Sequence, residues 1–237
     1  MPGSNARRLS VVVLAVVVVA TCVGLGLWQL RRLDERRALN ATILARRSAA
    51  PISIHDASSG AGEPYRRAAA RGTYDVEREV LLYGRSLDGE TGHQVVTPLV
   101  LADGGAILVV RGWVPFAIQT APVRGAAPPA DEVDVMGSLV PDEGDGSTTP
   151  DIDGVIRVLD VAGIASTLPY EVFPLPLRLI GQAPPQPGSL PTPAPPPELS
   201  EGPHLSYAIQ WFAFAGVAVA GATILLRRDR RPPTGGP

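Results

Sequence analysis

The 237-residue chain carries a formal net charge of −2, with 21 arginines, no lysine and a single cysteine. Its mean hydropathy of +0.15 is high for a wholly soluble protein. One cysteine excludes an internal disulfide and a thiolate metal cluster, so Cys22 is expected to be a small packing residue.

Two uncharged runs, one near each end, predict transmembrane helices. Leu9–Leu30 and Leu205–Leu226 hold 22 residues each, about 33 Å of helix, enough to cross a hydrocarbon core of about 30 Å. In lipid the backbone must bond to itself, so even valine-rich segments become helical. We predict transmembrane helices over 9–30 and 204–226.

The first run could also be a signal peptide, because Arg7 and Arg8 precede it. Apolar sequence nevertheless continues to Leu27 and ends without the small-residue pair of a signal peptidase site. A retained membrane anchor is therefore the favoured interpretation. The shortness of the segment before the run favours a bacterial plasma membrane over an organelle.

Charge is divided between the ends and the middle. The segment 34–203 contains 22 carboxylates and 13 arginines, a net charge of −9, whereas the tails 1–8 and 227–237 are basic. The positive-inside tendency predicts that both termini are cytoplasmic and that the central segment is extracytoplasmic. An acidic external domain argues against nucleic acid as a partner, while the lipid bilayer is an expected one.

The central segment predicts an interfacial helix or connector over 31–50 and a β-rich domain over 51–181. Short β-branched stretches bounded by turn residues predict strands, and Asp103-Gly104 is a strong hairpin signal. The expected fold is an α+β membrane protein in which two transmembrane helices flank an extracytoplasmic antiparallel sheet or small barrel. The predicted strands are 79–85, 93–101, 105–114, 132–140 and 154–161, with a short helix at 161–167.

Two segments interrupt this pattern. The acidic, turn-rich stretch 140–154 is predicted to be a solvated loop; a calcium site is the alternative, although its spacing fits no EF-hand loop. The proline-rich stretch 182–203 is predicted to be a semi-rigid tether leading back to the membrane. A ligand for proline-binding modules is a weaker alternative.

No motif predicts an enzyme. The chain lacks a Gly-x-Ser-x-Gly elbow, a P-loop, a dinucleotide fingerprint and a His-Glu-x-x-His pair. His55 and His93 are the only histidines of the central domain, and the adjacency of His55 and Asp56 does not by itself orient a catalytic pair.

The head of the second run, "GPHLSYAIQW", is unusually polar for a membrane entry. At 100° per residue, Tyr207, Trp211 and two alanines lie near the direction of His204, whereas Ser206 and Gln210 lie opposite. This face would combine an imidazole, aromatic rings and the space beside small alanine side chains. Such a face would suit a flat macrocycle whose iron is ligated by His204. The alternatives are an ordinary interfacial aromatic belt and a histidine that caps the helix or faces water.

Small residues in both runs suggest how the two helices could pack. Ala20/Gly24 and Gly216/Ala220 have the spacing that permits close helix approach.

Five stretches resemble one known family when taken in order. The match, which covers about half the chain, identifies the Surfeit-locus-1 (Shy1-like) family of cytochrome c oxidase assembly factors. The stretches are "GLWQLRRL" (26–33), "YRRAAARGTYD" (65–75), "VLLYGRSLDGETGHQVVTPLVL" (80–101), "AILVVRGWVP" (106–115) and "GPHLSYAIQWFAFA" (202–215).

The resemblance implies a chaperone that aids insertion of haem a into the oxidase catalytic subunit or stabilises an early intermediate. It implies cytochrome c oxidase subunits as partners, in some members within a supercomplex with a bc complex. Transient haem a contact is implied for His204 as iron ligand, with Tyr207 and Trp211 as pocket residues. Arg111 and Trp113 are expected to pack the sheet against the membrane face. The alternatives are a permanent accessory subunit without haem and, less favoured, an enzyme acting on haem precursors.

Overall fold

A computed structural model describes residues 3–55, 62–196 and 199–228, with side chains from residue 6 onward. The chain divides into a helical unit, residues 1–42 with 198–237, and a β-rich unit, residues 43–197. This is the predicted α+β class: long apolar helices at both ends of the chain and a β-barrel domain in the middle. The expected basic tail beyond Arg228 lies outside the described residues.

The helical unit consists of two long helices that run in opposite directions. Helix α1 spans Gly3–Ser48 and helix α3 spans His204–Arg228. Both helices are long and apolar enough to cross a membrane, and they are the two candidate spans among the described residues. Near one end of the pair the Arg37 guanidinium donates two hydrogen bonds to the Glu201 carboxylate, each 2.9 Å.

Close approach of the helices occurs at Gly26 and not at the small residues expected from spacing. A Cβ placed on Gly26 would lie 2.7 Å from the Phe212 ring, whereas one on Gly24 or Gly216 would meet nothing within 4 Å. The predicted packing through Gly24 and Gly216 is therefore wrong. Small-residue spacing recurs by chance in valine-, alanine- and glycine-rich runs, and only the rotation of each helix decides which glycine faces its partner.

The β-rich unit is a mainly antiparallel barrel. Its strands are β1 (Ile52–Ile54), β2 (Arg67–Tyr74), β3 (Val80–Leu87), β4 (Glu90–Leu101), β5 (Ala106–Pro115), β6 (Val133–Leu139), β7 (Val155–Ile156) and β8 (Leu177–Ala183). Strands follow the order β1-β2-β6-β8-β5-β4-β3-β7, and a further pairing of β2 with β4 closes the ring. Three pairs, β1–β2, β3–β7 and β5–β8, are parallel.

Closure depends on Gly72. Residues Gly72–Tyr74 pair with Leu99–Leu101, and a Cβ on Gly72 would lie 2.1 Å from the carbonyl oxygen of Val100. Only a glycine lets the two backbones approach this closely. The barrel therefore closes over three residues of β4 that β3 leaves unpaired.

The core fills both faces of the central strands. One cluster, containing Leu99, Ile107, Val109 and Phe173, fills the barrel, and a second, containing Leu108, packs under helix α2 (Val161–Ala165). Residues 106–114 of β5 are all buried. Burial on both faces explains why residues 106–110 of this strand form a continuous apolar run instead of alternating.

The predicted strands mostly match the observed ones. The hairpin at Asp103-Gly104 joins β4 to β5 as predicted, with Gly104 at a φ of 87°. The expected strand 154–161 is reduced to β7, because the chain turns into α2 after it. Strands β1, β2 and β8 were not predicted; the alanine-rich "RAAARGTY" and the mixed-polarity "LRLIGQA" give weak β signals.

The proline-rich stretch is not a free tether. Thr192 exchanges backbone hydrogen bonds of 2.7 and 2.8 Å with Trp113, and the Gln186 amide donates to the carbonyls of Ala127 and Leu190. Composition predicted a semi-rigid, mostly polyproline-like tether. The segment instead makes these hydrogen bonds to the barrel domain, which hold it against the barrel at Gln186 and Thr192.

Candidate functional site

The start of helix α3 fixes the position of His204. Gly202 adopts a φ of 69°, and the turn it makes ends at Pro203, whose carbonyl accepts from the Tyr207 amide at 3.2 Å and the Ser206 hydroxyl at 2.7 Å. Proline cannot donate an amide hydrogen bond, so it suits the residue that precedes a helix. His204 is thereby the first helical residue, and it is half-buried.

The imidazole of His204 is held by a residue of α1. Its Nδ1 lies 2.9 Å from Oε1 of Gln29. Gln29 was not among the predicted site residues, although a polar amide within the uncharged run 9–30 is a recognisable signal of function or packing. The pair joins the "GLWQLRRL" and "GPHLSYAIQW" stretches.

The helix face predicted around His204 is only partly available. Ala208 and Ala215 are 1% and 7% exposed and lie on the side of α3 that faces α1. The expected room beside alanine is therefore wrong, because α1 occupies that side. Tyr207 remains exposed, and Trp211 is half-buried with its ring edge-to-face against Phe214 at 5.9 Å.

This arrangement can still present one imidazole nitrogen to an iron at the edge of the helix pair. A histidine ligates a metal through one nitrogen while the other donates its proton to a neighbouring acceptor. Gln29 supplies such an acceptor at Nδ1. Tyr207 lies one turn further along α3 with an exposed aromatic ring. The His204–Gln29 pair therefore has the chemistry of a metal-ligating histidine with an orienting partner.

Arg111 occupies the interior of the β domain. Its side chain is fully buried, and Nη1 donates a 2.9 Å hydrogen bond to Oε2 of Glu79. The hydroxyl of Thr97 donates to the same oxygen at 2.7 Å, and the amide of Val123 donates to Oε1 at 2.9 Å. The expected role of Arg111 in packing the sheet against the membrane face is wrong, since the side chain points into the barrel domain.

Arg111 also forms hydrogen bonds to the surrounding loops. Nη2 of Arg111 donates to the carbonyl of Ala126 at 2.6 Å and to Oε1 of Gln186 at 2.8 Å. Burial lowers the pKa of Arg111, and the charge of Glu79 opposes that shift. Trp113 is also internal to the domain: its indole nitrogen donates to the carbonyl of Arg85 at 2.9 Å. Arg111 and Trp113 of the "RGWVP" stretch thus connect β5 to several other segments of the domain.

His93 is buried within an aromatic cluster. Its ring stacks on Phe116 at 5.2 Å and tilts against Tyr83 at 5.3 Å, and neither ring nitrogen has a hydrogen-bond partner among the described residues. Burial lowers the pKa of His93, and a weak interaction with the backbone of Phe116 opposes the shift. His55 is exposed just after β1.

The acidic stretch is ordered around Asp160. This buried carboxylate accepts hydrogen bonds from the amides of Gly146, Thr148 and Gly163, at 2.9–3.1 Å. The Gly163 and Thr148 hydrogen bonds lower the pKa of Asp160. The stretch is therefore an irregular loop with mostly exposed residues, as predicted, and these hydrogen bonds attach it to the domain. Within the described part of the chain, no group of three or more His, Cys, Asp or Glu is placed to hold a metal ion.

The fold and this geometry define a class: a β-barrel domain between two long apolar helices, with a histidine at the head of the second. Residues 16–216 match the model of the SURF1 family. The chain belongs to the SURF1 family, whose members are known as cytochrome oxidase assembly factors and are generally not enzymes.

Individual relatives agree with this assignment. A SURF1-like protein of Monosiga brevicollis is 29% identical over 89% of this chain and 87% of its own length. An uncharacterized SURF1-like protein of Mycobacterium bovis is 27% identical over 97% and 88%. Surfeit locus protein 1 of Takifugu rubripes is 31% identical over 51% of this chain and 58% of its own length.

Proposed function

We propose that this protein assists assembly of a haem–copper cytochrome c oxidase by holding haem a before its insertion into the catalytic subunit. Haem a is the cargo, and no covalent bond is made or broken. The family assignment supports the assembly role. The imidazole at the head of α3 supports the cargo, because it is the one histidine held within the helical unit.

The single observation that carries the haem proposal is the 2.9 Å contact between Nδ1 of His204 and Oε1 of Gln29. When the Nδ1 proton is donated to the amide oxygen, the lone pair of the imidazole is on Nε2. That nitrogen would ligate the iron, with Tyr207 and Trp211 contributing aromatic surface beside it. Release would follow when the oxidase offers its own histidines.

We further propose that both helices cross a bacterial plasma membrane, with both termini cytoplasmic and the barrel domain outside. Supporting observations are the apolar length of α1 and α3, the basic tails and the net charge of −9 between them. With Cys22 replaced by alanine, a single cysteine at Asp145 should react with an impermeant maleimide in intact spheroplasts. Protection until lysis would overturn this orientation.

Titration of the purified full-length protein with haem a tests the ligand. The wild type should give a saturable Soret shift, His204→Ala should lose it, and His55→Ala should retain it as the matched control. An unchanged spectrum for His204→Ala would overturn the ligand assignment. Both variants should keep the thermal transition of the wild type.

The alternative is a permanent accessory subunit that binds no haem. It would contact its partners through exposed apolar residues of α3, such as Ile209 and Val217. Affinity purification from cells separates the two. A transient chaperone should co-purify with an immature catalytic subunit that lacks haem a. Fixed stoichiometry with mature, fully loaded oxidase would favour the accessory subunit instead.

A further inference from the structure

A cavity on the β-rich unit combines arginines with apolar walls. It has a volume of about 430 Å³, within the range of small-molecule sites. Arg47, Arg67 and Arg178 provide its cationic side, and we call it the arginine pocket. Its other walls are formed mainly by Tyr65, Val140, Leu179, Ile180 and the range 193–196.

Arg178 keeps one donor of its guanidinium group unsatisfied. Its Nε is buried and has no hydrogen-bond partner in the part of the chain that the structure describes. Burial lowers the pKa of Arg178, the like charges of Arg85 and Arg47 lower it further, and the charge of Glu143 opposes the shift. The neighbouring acid, Glu143, is already bound to Arg85 at 2.5 Å. A buried donor among like charges is stabilised by an incoming anion.

The remaining walls favour an apolar body. Ile180 is 63% exposed although it lies on a barrel strand, and the prolines of 193–196 add further carbon surface. Tyr65, which lines the pocket, has a φ of 71°, a conformation that is costly for a non-glycine residue and is commonly found at ligand sites. Tyr65 and Arg67 belong to the "YRRAAARG" stretch, for which the haem proposal provides no role.

We propose that the arginine pocket binds an amphiphilic anion, with a carboxylate or phosphate on Arg178 and Arg67 and an apolar body on Leu179, Ile180 and the prolines. A small inorganic anion would leave the apolar walls uncovered, and an uncharged lipid would leave the buried Nε of Arg178 without an acceptor. Two sources carry this chemistry: an acyl lipid with an acidic headgroup, and a porphyrin through its propionates. His204 is not among the residues that line the pocket, so the proposal stands independently of the haem ligand.

Paired probes test the charge requirement. Full-length protein in an uncharged detergent, at fixed detergent concentration, is titrated with the fluorescent fatty acid cis-parinaric acid and with its methyl ester. A second pair is iron-free mesoporphyrin IX and its dimethyl ester. The free acid of at least one pair should bind saturably, and the corresponding ester should bind at least about tenfold more weakly. The acid that binds identifies the source.

Matched variants locate the site. Arg178→Gln and, on the exposed wall, Arg67→Gln should each weaken binding of the acid about tenfold, whereas Arg124→Gln, an exposed arginine outside the pocket, should not. Equal binding of acid and ester, wild-type affinity in both pocket variants, or no binding of either acid would overturn the proposal. Thermal transitions of the variants report their folding, and Arg67→Gln retains the test if Arg178→Gln unfolds.

Discussion

Nδ1 of His204 and Oε1 of Gln29 are joined at 2.9 Å, although 175 residues of sequence separate them. The contact links the first residue of α3 to the polar residue of an otherwise apolar part of α1. It holds the imidazole through Nδ1, and in the proposed function Nε2 is the nitrogen that would ligate the iron. Gln29 is therefore a positioning residue for the proposed haem ligand.

Removing the acceptor should weaken haem binding without removing the ligand. Gln29→Leu is expected to lower haem a affinity about 10- to 100-fold, the usual effect of losing a partner that orients a metal-binding histidine. The Soret position of the bound form should stay that of a histidine complex. Gln210→Leu, an exposed amide on α3, is the control, and equal affinity of the two variants would contradict the positioning role.

The Arg111–Glu79 pair should dominate the stability of the barrel. Glu79→Gln leaves a buried guanidinium without its counter-charge, so we expect a loss of about 3–5 kcal/mol in the free energy of unfolding. Thermal unfolding of the full-length protein in detergent measures it. Replacing both residues by methionine should cost less than the sum of the single changes.

An exposed ion pair is the control for that experiment. Arg71 binds Glu132 at 2.8 Å, and both side chains are exposed. Arg71→Gln should therefore change the free energy of unfolding very little, because water screens the charges of an exposed pair. A loss in Glu79→Gln as small as that in Arg71→Gln would show that the buried pair does not hold the loops.

Burial of neutral His93 should make the protein less stable in mild acid. Its pKa is lowered in the folded protein, so the unfolded chain binds the proton more readily and stability falls as the pH drops below about 6.5. His93→Phe keeps an aromatic ring between Tyr83 and Phe116 and should remove that part of the pH dependence. His55→Phe should retain it. Thermal transitions measured between pH 5 and 8 provide the comparison.

Asp160 should hold the acidic stretch in place. Asp160→Ala leaves three backbone amides without their acceptor, and we expect a loss of about 1–3 kcal/mol at neutral pH. Because the pKa of Asp160 is lowered in the folded protein, its contribution is present above the unfolded carboxyl pKa of about 3.9 and disappears as the pH falls through the folded value. Limited proteolysis within 140–154 should also become faster. Asp131→Ala, at an exposed carboxylate, should change neither property.

Gly24 and Gly26 of α1 offer a matched test of helix packing. Gly26→Val should weaken the contact between α1 and α3, since its side chain would meet the Phe212 ring, and Gly24→Val should not. The measurement is disulfide formation between cysteines placed at Gln29 and His204 in a Cys22→Ala background. Equal cross-linking in the two glycine variants would show that Gly26 does not set the approach of the helices.

Much of the architecture follows from local patterns. Long uncharged runs predict the helices, and the hairpin between β4 and β5 follows from Asp103-Gly104 and the apolar stretches beside it. Strand β8 escaped prediction because its residues are mixed in polarity and its pairing with β6 and β5 is made with distant parts of the chain. Sheet register of that kind depends on long-range packing and not on local propensity.

By itself the sequence determined the helical ends, the charge asymmetry, the candidate histidine and the family resemblance, because each depends on composition or on neighbours within a few residues. Only the tertiary structure decided that Gln29 holds His204, that Arg111 binds Glu79 inside the barrel, and that Gly26 meets Phe212. Rotation of a helix and closure of a barrel are set by the summed packing of residues far apart in sequence, and no local pattern encodes them.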